Sequence, residues 1–369
     1  MPETRKESPE ALRAAVADQW QQFCEKLKAA GEILLRPETP VTDLDRAEGL
    51  RYLGRLTRLG LQLCFEHADP DFPVFLNAWN ETTKAGSDNP DNLYLNATVR
   101  GNREYRVRGH RGSAPSLRFS TFADRYATEG IMAQTGSLRA RDMTFAADGT
   151  FEVVVSQEPR PGNWLPLAAD SSLLTVRQNF ADRKRETAAI VSIEQVNGPA
   201  TPKPLTLKRA QGSLNGALAF LARVTGRYAE WAQWFQSHPN TLHIQQQTPF
   251  HEEGGDPKTQ YMHGYWSIGP GEMLVLETPV PACDMWNFQL SNYWMESLDY
   301  RHYPVCINKP RAKYNADGSV TLVVGARDPG FGNFLDTAGH TSGMMILRWT
   351  GAQHHPVPAA RVVRVLKTS

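Results

Sequence analysis

Three side chains near the end of the chain are of types that carry out acid–base chemistry. Asp328, Asp336 and His340 lie in one short segment. A carboxylate beside an imidazole can orient the ring and hold its proton. The segment therefore predicts an acid–base set, with Asp328 or Asp336 as the base and His340 as the acid or its partner. The alternative is structural: Asp328 pairs with Arg301 or Arg327, and His340 caps a loop.

A second group, just upstream, could bind a ligand. In the segment WNFQLSNYWMESLDYRHYP, strand alternation puts carboxamides on one face and apolar side chains on the other. Carboxamides offer directional hydrogen bonds, aromatic rings offer flat apolar surface, and an arginine can bind a carboxylate, phosphate or sulfate. This composition suits a hydroxylated or ring-containing small molecule. The predicted binding residues are Trp286, Asn287, Gln289, Asn292, Trp294 and Arg301. For Arg301 the alternative is a surface pair with Asp299.

The nearest approach to a metal-binding set is the group His251, Glu252, Glu253 and His263. It lacks the HExxH spacing, and the following GGDP indicates a loop, so we expect no metal. The sequence also has no GxSxG elbow, no Walker A motif and no GxGxxG fingerprint. We therefore expect no cofactor.

Charge and composition exclude some classes of partner. The chain has 369 residues, 40 Lys and Arg against 39 Asp and Glu, and a formal net charge of +1. This balance argues against a general nucleic-acid-binding surface. There is no apolar core of a signal peptide, and no stretch is long enough to span a bilayer. Cys24, Cys64, Cys283 and Cys306 are scattered without CxxC spacing, which favours buried, reduced thiols. We expect a cytoplasmic protein with a small-molecule partner and no nucleic-acid or membrane partner; the oligomeric state stays open.

The elements that must position these residues occur twice. Residues 147–180 and 316–349 align with two gaps. The alignment places Asp148-Gly149 on Asp317-Gly318, Gly162-Asn163 on Gly332-Asn333, and Arg177 on Arg348. A repeated turn signature predicts a repeated β-unit, with the two Gly-Asn pairs in equivalent bends.

The differences between the copies suggest where function lies. Positions shared by both copies are expected to serve the fold. Arg327, Asp336 and His340 have no counterpart of the same kind in the first copy. We therefore expect the functional pocket on the side of the second copy, in the second sandwich or between the two. In the first copy, Asp91, Asn92, Tyr94 and Arg106 are either strand-edge residues or close the site from the other sandwich.

Periodicity predicts the remaining architecture. Residues 8–35, 43–68 and 213–235 have the apolar spacing of amphipathic helices, and period-two strands fill most of the rest. The predicted fold is mainly β with α: duplicated antiparallel, jelly-roll-like β-sandwich units with N-terminal and inter-repeat helices. The predicted divisions are an N-terminal helical segment at 1–70, a first β-sandwich unit at 71–200, a helical linker and loop at 201–260, and a second unit at 261–369.

Several segments together resemble a bacterial family, domain of unknown function 1214. They are CDMWNFQLSNYWMESLDYRHYPVCINK, then DGSV, ARDPGFGN, LDTAGH and RW, and upstream DNPDNLYLNATVRGNREYRVRG with GNWLPL and RQNFADR. The resemblance covers most of residues 80–350, with Phe334 where a tryptophan is expected. It implies a double β-sandwich and carries over no catalytic residues.

The residues favour one function and leave two others open. The first is a cofactor-independent enzyme, a hydrolase or lyase, that acts on a polar or ring-bearing small molecule by acid–base chemistry. The alternative is a non-catalytic carbohydrate- or metabolite-binding protein, because aromatic and carboxamide side chains suit sugar recognition equally well. A third is a structural or partner-binding sandwich.

Overall fold

The computed structural model describes residues 8–126, 128–252 and 255–364. Its helices are α1 (Pro9–Gly31), α2 (Asp43–Leu61), α3 (Leu207–Gln236) and α4 (Thr248–Glu252). The first β-unit contains β1 (Leu76–Trp79), β2 (Asn92–Thr98), β3 (Tyr105–His110), β4 (Ser116–Arg125), β5 (Ile131–Arg139), β6 (Thr150–Ser156), β7 (Trp164–Pro166), β8 (Leu173–Asn179) and β9 (Ile190–Gln195). The second contains β10 (Thr241–Leu242), β11 (Thr259–Ser267), β12 (Glu272–Thr278), β13 (Met285–Ser291), β14 (Cys306–Asn308), β15 (Val320–Gly325), β16 (Asn333–Asp336), β17 (Ser342–Thr350) and β18 (Ala359–Arg364).

The two units have the same topology, which confirms the predicted duplication. Sheet I has the strand order β1-β2-β8-β4-β5, and sheet III repeats it as β10-β11-β17-β13-β14. Sheet II has the order β7-β6-β3-β9, and sheet IV repeats it as β16-β15-β12-β18. The fold is mainly β, with 33% strand and 25% helix, as predicted. Each unit departs from wholly antiparallel pairing, because β7 pairs with β6 and β16 with β15 in parallel.

The predicted helices form, with boundaries set by local chemistry. Ser8 caps α1, its Oγ accepting a hydrogen bond from the Ala11 N–H at 3.2 Å. The chain then tightens into a 3₁₀ turn, and α2 likewise ends in a π-turn, so both α-helices are shorter than predicted. α3 begins at Leu207, before the predicted start, because Thr206 provides the cap. No helix among the described residues is long and apolar enough to cross a membrane.

The two Gly-Asn pairs occupy equivalent bends, as predicted. Gly162 and Gly332 both have positive φ, at 82° and 66°, which glycine adopts without strain. The Asn163 side chain donates to the Thr144 and Glu152 carbonyls and accepts from the Thr144 N–H. The Asn333 side chain repeats this pattern with Lys313 and Thr321. Each asparagine therefore joins its parallel strand to the rest of the sandwich.

We expect Asn333→Ala to lower the free energy of unfolding by about 2–3 kcal/mol, because it leaves three backbone groups without their partner. Asn333 is only 5% exposed, so water cannot easily replace the lost bonds. Asn163→Ala, at the more exposed equivalent position, is the matched control and should cost less. Denaturant unfolding of both variants measures the difference. Equal, small losses would contradict this account of the bend.

The hydrophobic core has three parts. One lies inside each sandwich: Phe119 and Val176 belong to the first, Trp286 and Phe288 to the second. The third joins α2 and α3 to part of the outer face of sheet III. The rest of that outer face lies opposite the outer face of sheet I.

Candidate functional site

A cavity of about 1060 Å³ lies between the outer faces of sheets I and III. Polar side chains line part of its walls, because strand alternation sends one set of side chains into each sandwich core and the other set outward. From sheet I, β2 contributes Asn92 and Tyr94, and β8 contributes Arg177. From sheet III, β11 contributes Tyr261 and β17 contributes Arg348. The volume is at the upper end for small-molecule sites.

The cavity contains a duplicated pair of side chains. Tyr94 is the cross-strand partner of Arg177, and Tyr261 is the cross-strand partner of Arg348. Each guanidinium lies over its tyrosine ring, at 5.3 Å in the first unit and 6.0 Å in the second. Both arginines also act electrostatically on the Tyr261 phenol. The duplication therefore places two related cations on opposite walls of one cavity.

Arg348 is the better defined of the two. Its Nη1 donates to the Gln289 Oε1 at 2.6 Å and the Asn287 Oδ1 at 3.4 Å, and its Nη2 donates to the Ser87 carbonyl. All three acceptors are neutral. Burial lowers the pKa of Arg348, since charge is poorly solvated there. The site thus holds a cation in a fixed orientation without neutralising it by direct contact.

The net charge of the described lining residues is positive. Seven basic side chains line the cavity: Arg118, Arg139, Arg141, Arg177, Arg223, Lys258 and Arg348. Four acidic side chains do so: Asp88, Asp142, Asp256 and Asp284. One pair joins the two walls, because Arg118 Nη1 of sheet I lies 2.8 Å from Asp256 Oδ2. Within this set Arg348, whose hydrogen-bond acceptors are neutral, favours an anionic ligand.

One end of the cavity is aromatic. α3 contributes Tyr228 and Trp231, α4 contributes Phe250, and β1 contributes Trp79. Trp231 and Phe250 meet edge to face, with centroids 5.0 Å apart. Such surfaces bind flat apolar groups. The cavity therefore has one end suited to a charge and another suited to a ring.

Part of the predicted binding set lies here. Asn287 lines the cavity, and its Nδ2 donates to Asn89 Oδ1 at 2.7 Å. Gln289 lies behind it and orients Arg348. The open alternative for the first copy also fits, since Asn92 and Tyr94 line the cavity. Arg106 does not, because it pairs with Glu152 on sheet II.

The predicted acid–base set is not brought together. Asp328 Oδ1 accepts from the Gly330 N–H at 2.8 Å, and Asp336 Oδ1 accepts from the Ala338 N–H at 2.7 Å, so both stabilise their own turns. His340 packs against α2 instead. Among the described residues, no hydrogen bond or ion pair joins the three side chains, and none of them lines the cavity.

Four other predicted binding residues also lie elsewhere. Trp286 is in the core of the second sandwich, 1% exposed, because its face of β13 points inward. Trp294 packs on α2 and donates to the Asp45 carbonyl at 3.0 Å. Asn292 donates to buried carboxylates at the same helix contact. Arg301 is exposed and bidentate with Asp299, at 2.8 and 2.9 Å, which is the structural alternative.

The sequence predicted a functional pocket on the side of the second copy, in the second sandwich or between the two, lined by residues that the first copy lacks. The cavity lies between the copies, and its arginines occupy the aligned positions 177 and 348. Positions that are alike in both copies were assigned to the fold. When two duplicated sheets face each other, however, equivalent side chains of both sheets line the same cavity. An arginine on the polar face of both aligned strands was the signal that could have located the site.

The described residues contain no group of three or more His, Cys, Asp or Glu side chains arranged for a metal ion. His251 Nε2 donates a hydrogen bond to the Thr259 carbonyl oxygen at 3.1 Å. His263 lines the cavity. Glu253 lies outside the described residues.

His340 is at the centre of a buried ionic contact between α2 and the second sandwich. Its Nε2 lies 3.2 Å from Glu48 Oε2, and its Nδ1 lies 3.4 Å from Asp45 Oδ1. Burial alone would lower the pKa of His340, but the hydrogen bonds and charges of the two carboxylates raise it to about 9. The imidazolium therefore helps to fasten the helix to the sheet.

This contact predicts a pH dependence of stability. A histidine whose pKa rises on folding stabilises the native state fully below its unfolded pKa, near 6.5, and loses that contribution as pH rises through about 9. We expect the difference in unfolding free energy between the parent and His340→Gln to shrink between these pH values. Denaturant unfolding at several pH values measures it. A difference that stays constant or grows with pH would contradict the assignment.

The topology and the cavity define a class of protein: two repeated β-sandwich units, with helices, that enclose a basic and aromatic cavity between equivalent sheets. The chain belongs to the family described as "Protein of unknown function (DUF1214)", whose family model matches residues 95–179 in the first unit and 273–354 in the second. The resemblance of the sequence to this family is thus confirmed, and the family model matches both copies.

Solved structures similar to this chain include the following two. A crystal structure of an uncharacterized protein from Burkholderia cenocepacia is 46% identical, covers 94% of this chain and 96% of its own, and has a TM-score of 0.90. The VPA0106 protein from Vibrio parahaemolyticus is 12% identical, covers 85% of this chain and 98% of its own, and has a TM-score of 0.50. The second likeness shows the fold alone. No curated protein matches significantly.

Proposed function

We propose that this protein binds a small organic anion in the cavity between its two sandwiches. The observation that carries the proposal is that Arg348 has N–H donors without an acceptor among the described residues. A guanidinium has five N–H donors. Three of these are used by Asn287, Gln289 and Ser87. Nε and one Nη2 hydrogen remain, and two adjacent donors match the two oxygens of a carboxylate.

The surroundings of Arg348 support this role. The guanidinium is held by neutral groups on three sides, so little side-chain entropy is lost when an anion binds. Arg177 on the opposite wall adds a second positive charge close to Tyr261. A charged hydrogen bond is stronger in this sheltered site than on the surface.

Binding is favoured over the predicted hydrolase or lyase because the cavity offers poor acid–base groups. A general base works best with a pKa near the operating pH. Burial and the charge of Arg348 lower the pKa of His263 to about 3. Asp256 is paired with Arg118. Burial raises the pKa of Asp88, but both of its oxygens are bound by Ser297. Catalysis with Asp328, Asp336 and His340 stays a prediction without support from their placement.

Calorimetric titration with matched pairs of compounds tests the proposal. Phenylacetate and phenylacetamide have the same ring and differ in charge. We expect phenylacetate to bind and phenylacetamide to bind at least about tenfold more weakly, because only the first can form two charged hydrogen bonds. Equal binding of the two compounds, or binding of neither phenylacetate nor phenyl phosphate at millimolar concentrations, would overturn it.

For the compartment, we propose the cytoplasm. The four cysteines are unpaired, as expected where thiols stay reduced. They are less buried than the sequence suggested, since Cys24 is exposed and the others are half-buried. We also propose that the partner is a small molecule, rather than a nucleic acid or a membrane. Thiol labelling of the protein in intact cells would show whether all four cysteines are reduced there.

A further inference from the structure

His263 is a buried, neutral side chain that the anion site does not use. It lies on β11, lines the cavity and is 3% exposed. Its ring is enclosed by aromatic side chains, stacked on Phe235 with centroids 5.1 Å apart and 4.5 Å from Phe250. Its Nδ1 is buried without a hydrogen-bond partner among the described residues. A polar ring in an aromatic wall costs free energy where its nitrogens are unpaired, so a histidine that reaches the cavity is a candidate contact for a ligand.

The free nitrogen of the ring is the point of contact for a ligand. Nδ1 is enclosed, so Nε2 is the polar atom of this ring that a bound molecule can reach from the cavity. The imidazole is neutral at physiological pH, because burial and the charge of Arg348 lower its pKa to about 3. It can therefore give or take one neutral hydrogen bond but cannot bind an anion by charge. A hydroxyl group, both donor and acceptor, fits either tautomer.

The sheet fixes how far this contact is from the anion site. Tyr261 lies opposite Arg348 on the neighbouring strand, and His263 lies opposite Ile346. His263 and Arg348 are therefore diagonal neighbours, roughly 7–8 Å apart at the backbone. The ring of Tyr261 stands beside both, and Phe250 and Trp231 close the aromatic end. One substituted six-membered ring fits this separation.

We propose that the ligand is a hydroxylated, ring-bearing acid, with its acid group on Arg348, its ring among Trp231, Phe250 and Tyr261, and its hydroxyl on His263. The inference rests on the proposed anion binding and adds the substrate class. His263 is then a specificity-determining residue. His263 raises the affinity for a hydroxylated ligand, because a ligand without a hydroxyl leaves the Nε2 of His263 unpaired.

Two compounds and one variant test the inference by calorimetric titration. The compounds are 4-hydroxyphenylacetate and phenylacetate. In the parent, we expect 4-hydroxyphenylacetate to bind about tenfold more tightly than phenylacetate, the effect of one neutral hydrogen bond. In His263→Phe, which keeps a flat ring in the aromatic site, we expect this preference to vanish. A preference retained in His263→Phe, or absent from the parent, would overturn the inference.

A second measurement keeps the test decisive if His263→Phe does not fold. In the ¹⁵N-labelled parent, the His263 imidazole signals should report a neutral ring at pH 7 and shift on addition of 4-hydroxyphenylacetate more than on addition of phenylacetate. Identical shifts with both compounds would count against the contact. The two proposals can fail separately. If phenylacetate binds better than phenylacetamide but the hydroxyl has no effect, only the ligand class is wrong; if charge has no effect, the anion site itself is wrong.

Discussion

Replacing Arg348 with glutamine is expected to weaken phenylacetate binding at least about hundredfold. The variant removes two charged hydrogen bonds of about 1.5–3 kcal/mol each, and about 1.4 kcal/mol corresponds to tenfold in affinity. Glutamine keeps a polar group near Gln289 and Ser87, which limits the loss of packing. Calorimetric titration of the folded variant measures the change.

Two further variants control this experiment. Arg301→Gln removes an exposed arginine that is already bidentate with Asp299, so its affinity should equal that of the parent. Arg348→Lys keeps the charge but not the planar donor pair, so we expect an intermediate affinity. Comparable losses for Arg301→Gln and Arg348→Gln would mean that general surface charge, and not the cavity, binds the anion.

Replacing His340 with alanine is expected to lower the free energy of unfolding by about 3–5 kcal/mol, because removing one member of a buried ionic contact leaves the others uncompensated. Glu48 and Asp45 would face each other without the imidazolium that now lies 3.2 and 3.4 Å from them. Phenylacetate affinity of the folded variant should be unchanged, since His340 lies outside the cavity. Denaturant unfolding and titration at pH 7 give the two values.

Asp336→Asn is the matched control, since its side chain accepts only from the N–H of Ala338 within one turn. We expect a loss of less than about 1 kcal/mol. If His340→Ala instead kept its stability and lost ligand binding, the acid–base prediction from the sequence would be restored and the structural role assigned here would be wrong.

The repeated elements were predictable from the sequence because their turns carry chemical signatures. Gly162-Asn163 and Gly332-Asn333 mark the same bend, since the glycine supplies a positive φ and the asparagine bonds three backbone groups. Strand alternation likewise placed Asn287 and Gln289 on one face of β13. What periodicity cannot give is which face of a strand meets which neighbour, so Trp286 was included in the binding set although its face of β13 points into the core.

The position of the site was not predictable from one copy considered alone. The cavity depends on how two outer faces pack, which is a long-range property of the chain. The same limit applies to His340, whose partners Asp45 and Glu48 are distant in sequence and come from α2. Neighbours in sequence, such as Asp336 and His340, proved less informative than the aligned pair Arg177 and Arg348.

The central claim is that an organic anion binds between the two sandwiches. The most direct measurement is a crystal structure with 4-bromophenylacetate, whose bromine can be located by its anomalous scattering. We predict a bromine peak in the aromatic end of the cavity, near Trp231 and Phe250, with the carboxylate within hydrogen-bond distance of Arg348. A fully occupied peak on the outer surface with an empty cavity, or no peak at a concentration that saturates binding in solution, would contradict the claim.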